Sequence, residues 1–187
     1  AADGRRILIA WMSGGTYPDM PFNQQMTVPC ELTLRRTADG LRVCRRPVRE
    51  IASLRTATHR WENLLLTPGM NPLADLAGDL FDIEMVMDVS AAALPADTAL
   101  ATAVQLTVRG EQVQYRLPTR TLECGGCTAD LWPVEGRVKL RLLVDRSSLE
   151  LFGDDGLRPM SFTFTPPLDN RRLELATPDG KLRVVSL

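Results

Sequence analysis

Apolar and polar residues alternate with period two through most of this 187-residue chain, which restricts it to half-buried antiparallel strands. Phe81, Ile83, Met85, Met87 and Val89 alternate with Asp82, Glu84 and Asp88. The pattern returns at Val104, Leu106 and Val108, at Val113, Tyr115 and Leu117, and at Val138, Leu140, Leu142 and Val144. It continues in the pairs Leu149 and Leu151, Phe162 and Phe164, Leu173 and Leu175, and Leu182 and Val184. Near the start, Met26, Val28, Cys30, Leu32 and Leu34 fall on one face against Thr27, Glu31, Thr33 and Arg35. Ala38-Asp39-Gly40, Gly153-Asp154-Asp155-Gly156 and Pro178-Asp179-Gly180 are turn signals between such runs. Short strands at this spacing predict an all-β fold, an antiparallel two-sheet β-sandwich.

The strands are unevenly distributed. Three patterns, over 5–11, 26–36 and 41–45, are too few to bury both faces of a sheet, whereas eight or nine follow residue 56. Between them Pro47 precedes Val48, Ile51 and Leu54 at i, i+3 and i+6, the one helical spacing in the chain. The expected division is therefore an incomplete unit over 1–46, a linker with a short helix over 47–56, and a sandwich over 57–187. A start at Ala1, directly ahead of a strand pattern, reads as a chain cut from a longer one, so a missing leader says little about where the parent resides.

Composition removes several function classes. Hydrophobic residues make up 44%, enough for a core. Lys plus Arg number 22 against 23 Asp plus Glu, a net charge of −1, so nothing favours nucleic acid or an anionic membrane surface, and no apolar run reaches the ~20 residues of a membrane helix. Four cysteines do not make a disulfide scaffold. Cys124-Gly125-Gly126-Cys127 has zinc-like spacing but needs two more ligands, which favours a pair of thiols at a Gly-Gly turn or a local redox pair over a metal site.

Three stretches carry a resemblance: Ala10-Trp11-Met12, Met26-Thr27-Val28-Pro29-Cys30-Glu31-Leu32-Thr33-Leu34 with Pro47-Val48-Arg49-Glu50-Ile51 after it, and Asp145-Arg146-Ser147-Ser148-Leu149-Glu150-Leu151-Phe152. In that order they resemble the C-terminal part of the β-fructosidases, the levanase, inulinase and invertase group of glycoside hydrolases. The match departs at Cys30, where that family usually has Arg. The resemblance implies that the sandwich is preceded by a fragment of the last β-propeller blade. It also implies a bacterial, secreted or periplasmic parent that hydrolyses fructosyl linkages with retention, using two carboxylates about 5–5.5 Å apart and no cofactor. The family's Asn-Asp-Pro and Arg-Asp-Pro motifs are absent here, and its Glu-Cys acid motif occurs as Glu123-Cys124 only downstream of the last-blade stretch, ahead of Gly-Gly and without a partner carboxylate in a recognisable motif. No catalytic residue is therefore assigned to this chain; the expected role is structural, with the catalytic propeller domain as partner.

Individual residues have competing readings. Trp11 could wall a sugar pocket in the full propeller, or serve as a core tryptophan beside Ile7 and Ile9. Asp145, Arg146 and Glu150 invite a catalytic reading. The structural one is preferred, with Asp145 and Ser147 bonding turn amides and Arg146 pairing with Glu150 across the sheet surface. Arg35-Arg36, Arg45-Arg46 and Arg171-Arg172 read as solvated strand edges. Trp61 and Trp132 could form a lectin-like aromatic platform, but Trp61, beside Leu64, Leu65 and Leu66, reads more easily as core, and Trp132-Pro133 as a loop packed on a sheet end. The alternative function is a carbohydrate-binding module with its own fructan site.

Overall fold

The computed structural model describes residues 1–17, 20–38 and 40–187. Asp39, in the middle of one expected turn, lies outside the described residues. Sixteen strands are described: β1 Arg6–Leu8, β2 Trp11–Met12, β3 Gln25–Met26, β4 Cys30–Thr37, β5 Gly40–Pro47, β6 Glu62–Leu66, β7 Phe81–Asp88 and β8 Ala103–Val108. The others are β9 Glu111–Arg116, β10 Thr121–Cys124, β11 Cys127–Asp130, β12 Arg137–Val144, β13 Ser148–Gly153, β14 Arg158–Thr163, β15 Leu173–Ala176 and β16 Leu182–Ser186.

From β6 onward the strands form two antiparallel sheets, ordered β11-β10-β9-β8-β15 and β14-β13-β12-β7-β16-β6. Their inner faces meet as the alternation requires: Met85, Leu142 and Leu151 from the larger sheet pack with Leu106, Tyr115 and Leu175 from the smaller. Each such side chain contributes about 1.5–3 kcal/mol on burial. Tyr115 keeps its polar tip satisfied by donating to the Leu131 carbonyl at 3.0 Å.

The leading residues form a separate three-stranded sheet, β1-β4-β5, and a two-stranded ladder, β2-β3. Two expected strands are thereby broken. The pattern over 5–11 splits at residues 9–10 and that over 26–36 at 27–29, because Pro29 has no N–H to continue a ladder. Thr27 compensates locally: its N–H donates to the Ala10 carbonyl at 2.8 Å and its hydroxyl accepts from the Ala10 N–H at 3.0 Å. The helix expected after Pro47 is a 3₁₀ turn, Arg49–Leu54, too short to sustain an α-helix. Val48 and Ile51 still face inward, but Leu54 is 76% exposed.

The apolar face expected on β3 and β4 is also largely open. Cys30 is buried, whereas Met26 and Leu34 are exposed, Leu34 to 71%. Trp11, opposite Met26, is 59% exposed.

Candidate functional site: the seam over the signature strand

Register explains what strand β13 does. Leu149 and Leu151 point into the sandwich core, so Ser148, Glu150 and Phe152 must point to the outer face of the six-stranded sheet. There the pairing sets Asp82, Leu143, Glu150 and Ser161 in one row, and Glu84, Arg141, Phe152 and Pro159 in the next. Around Glu150 this face is shielded from solvent. Glu150 is 1% exposed, and Leu143 and Phe152 form a small second core with Cys30, flanked by Val28 and Ile51.

Glu150 is the polar centre of the seam. Its Oε1 accepts the Val28 N–H at 2.5 Å, an amide freed because the ladder stops before Pro29. Its Oε2 accepts the Ser161 hydroxyl at 2.8 Å, and Ser161 Oγ in turn accepts Arg45 Nη2 at 2.6 Å. Arg45 thus reaches Glu150 mainly through Ser161, its direct approach being 3.9 Å, while its guanidinium lies 5.7 Å from the Phe152 ring centre. Burial pushes the Glu150 carboxyl above its ordinary value, outweighing the Val28 amide, the Ser161 hydroxyl and the Arg45 charge. Burial likewise pushes the Cys30 thiol up to about 11, consistent with an inert, packed side chain.

The two ends of the seam are fastened separately. At one, Ser147 Oγ donates to Gln25 Oε1 at 3.0 Å and Gln25 Nε2 donates to Ser148 Oγ at 2.7 Å. At the other, the turn between β13 and β14 receives β5: Arg45 N–H donates to the Gly156 carbonyl at 2.9 Å, Arg46 Nε donates to the Asp155 carbonyl at 2.7 Å, and Arg35 pairs with Asp154. Gly156 sits at φ +83°, and a Cβ there would lie 2.1 Å from the Arg45 carbonyl oxygen, so only glycine permits this approach. Beyond the 3₁₀ turn, Arg55 and Arg141 both clamp Asp82, with Nε–Oδ distances of 2.8 and 2.9 Å.

Several sequence expectations change here. Arg146 is exposed and does not meet Glu150, whose side chain lies under the leading sheet. Ser147 bonds Gln25 and not a turn amide, while Asp145 Oδ1 accepts the Arg146 N–H at 2.7 Å. Arg35 and Arg45 are partly buried seam residues, not solvated edges, while Arg46 stays exposed and reaches the Asp155 carbonyl; Arg171 pairs with Asp79 at 3.1 Å. Trp61 packs partly buried against the core, but Trp132 stands 58% exposed. Glu123 lies on β10 with its carboxylate accepting Arg116 Nε at 2.8 Å, and Cys124 faces Cys127 across a Gly-Gly turn, both as free thiols. Sequence reasoning missed Gln25, Val28 and Ser161. One signal existed: Leu143 and Phe152 put apolar side chains on the face that alternation assigns to water.

The family model for "Glycosyl hydrolases family 32 C terminal" matches residues 50–187. The chain is 33% identical over its whole length to a levanase of Bacillus subtilis (strain 168), and 31% identical over 99% of its length to a levanase of Bacillus sp. (strain L7). It spans only 30% and 22% of those two relatives. Among solved structures, exo-inulinase from Aspergillus awamori superposes with a TM-score of 0.76 at 18% identity, covering 96% of this chain and 39% of that one.

Proposed function

Because this chain belongs to the glycosyl hydrolases family 32 C-terminal family, we propose that it is the sandwich-bearing end of a levanase- or inulinase-type β-fructosidase, serving as a brace and supplying no carboxylate to the reaction. The observation that carries this reading is the direction of the signature strand. Ser148, Glu150 and Phe152 are engaged by Gln25, Val28 and Arg45 of the leading residues, leaving none of them free to meet a substrate. In this reading residues 1–46 are the last blade of a catalytic propeller, 47–56 the linker and 57–187 the sandwich. The exposed Ile7, Ile9, Trp11, Leu34, Leu41 and Val43 then face the preceding blades, with Trp11 at the fructose pocket. The parent would cleave fructosyl bonds with retention through carboxylates on those blades.

The test is to change Glu150 to Ala in the enzyme that carries this chain. The melting temperature should fall while kcat per folded molecule holds. Loss of kcat at unchanged stability would give the seam a chemical role and end the brace reading. The isolated chain should not turn over sucrose, inulin or levan, and any turnover abolished by Glu123→Gln would count equally against it. A second reading, sugar binding by the sandwich itself, has one observation in its favour, the exposed Trp132.

A further inference from the structure

The two sheets part around an open cleft of about 500 Å³ at the end of the sandwich where Asp88 of β7 pairs with Arg137 of β12. The 145–147 turn that fastens Gln25 lies at the other end of these strands, beyond the Phe81–Val144 pair. No seam residue lines the cleft. Val89, Leu100, Leu117 and Pro133 give it apolar walls, and Arg120 holds its guanidinium carbon 4.2 Å from the Trp132 ring centre. With Arg120 over one face of the indole, the 58% exposure of Trp132 leaves much of the ring to solvent. Among the described residues Arg120 has no carboxylate partner.

The walls are held in place. Leu131 N–H donates to the Arg120 carbonyl at 2.8 Å, tying the tryptophan loop to the arginine turn. Val134 and Arg137 exchange N–H···O bonds at 2.9 Å, Val89 N–H reaches the Gly136 carbonyl and Leu117 N–H the Thr102 carbonyl, each at 2.9 Å. Arg120 and Glu135, one in each flanking turn, adopt left-handed φ angles of 56° and 51°, a conformation that residues with a Cβ hold only under constraint. A tryptophan needed for the core would point inward, as the neighbouring Leu131 does.

We propose that this cleft is a surface site for a neutral, hydroxyl-rich sugar chain. An indole face suits the C–H side of a sugar ring, and an unpaired guanidinium supplies a fan of donors for its hydroxyls. Asp88 and Asp179 flank the cleft through Ser90 and Thr102, at 2.5 and 2.7 Å, and their charge disfavours an anionic ligand. The choice of fructan among neutral glycans rests on the proposed function; the cleft itself does not.

The 187-residue chain should be titrated with inulin-type fructo-oligosaccharides, levan, dextran and inorganic phosphate while the indole N–H signals of its three tryptophans are followed by NMR. The fructans should shift the Trp132 signal and saturate in the millimolar range. Trp132→Ala and Arg120→Ala should each weaken binding by up to about tenfold, Trp132→Phe by less, and Trp11→Ala and Trp61→Ala not at all. Trp132-dependent binding of dextran alone would keep the cleft and remove the fructan assignment. Silence of Trp132 toward every glycan in a folded chain would overturn the site and leave the brace reading intact. A response to phosphate alone would overturn the neutral-sugar assignment.

Discussion

Strands of one alternating pattern build two regions with opposite fates. In the sandwich, Met85, Leu142 and Leu151 find a second sheet and vanish from solvent; in the leading sheet, Leu34, Leu41 and Val43 lie in a similar pattern and remain exposed. Alternation therefore states which side chains share a face, and a partner layer decides whether that face is buried. One place where the leading sheet has such a layer is where Cys30 and Val28 meet Leu143 and Phe152. What holds it there is as much polar as apolar, since the Glu150 carboxylate and the carbonyls of the 154–156 turn accept from groups of the leading residues, and the Gln25 amide of β3 bonds Ser147 and Ser148.

The contrast can be broken at several points. Leu142→Ala strikes the closed core and should cost about 2–5 kcal/mol in chemical denaturation, with loss of cooperativity through both sheets. A cost under about 1 kcal/mol would mean the sandwich is not the stable half. Glu150→Ala leaves the Val28 amide without its acceptor and should cost about 1–3 kcal/mol.

Glu150 also makes a pH prediction. Because burial raises its carboxyl above the ordinary 4.5, the folded chain keeps that proton to higher pH than the unfolded chain does. Its contribution is complete below 4.5 and is lost as pH rises through the raised value. Glu150→Gln should flatten this part of the stability profile; identical profiles for wild type and variant would show that the seam does not bury the charge.

Gly156→Ala places a Cβ against the Arg45 carbonyl and should cost more than about 1 kcal/mol, while the sandwich core signals persist in NMR. Unchanged stability would unseat β5 from this turn. Asp145→Ala removes one local acceptor on an exposed turn and should cost under about 1 kcal/mol; a larger loss would place the turn among the seam's supports. Trp11→Ala should shift stability by no more than about 0.5 kcal/mol here, and a large loss would mean that the indole is packed in this chain.

Much of this was legible in residue order. The core-facing positions of the strands from Phe81 to Val184 follow the alternation, and the Gly153 to Gly156 and Gly125-Gly126 turns fall where their glycines predict. The misreadings have a common physical source. Arg146 and Glu150 are four residues apart and opposite in charge, which suggests a pair, yet on a strand next to a turn that spacing does not bring them together. Trp61 and Trp132 both lie within three residues of a leucine, yet Trp61 exchanges backbone hydrogen bonds with Leu187 and packs on the core while Trp132 stands outward. Ser161 and Val28 carry no motif at all; they matter because strand pairing and a proline break bring them to one carboxylate.

By itself the sequence determined the strand periodicity, the sandwich and the family signature, since these depend on neighbours two residues apart and on local turn chemistry. Only the tertiary structure decided that Glu150 is buried, that Phe152 lies beneath Arg45 and that Trp132 stands open beside Arg120. Those outcomes depend on which layer covers which face, and the covering residues lie more than a hundred positions away along the chain for Glu150 and Phe152, and twelve for Trp132.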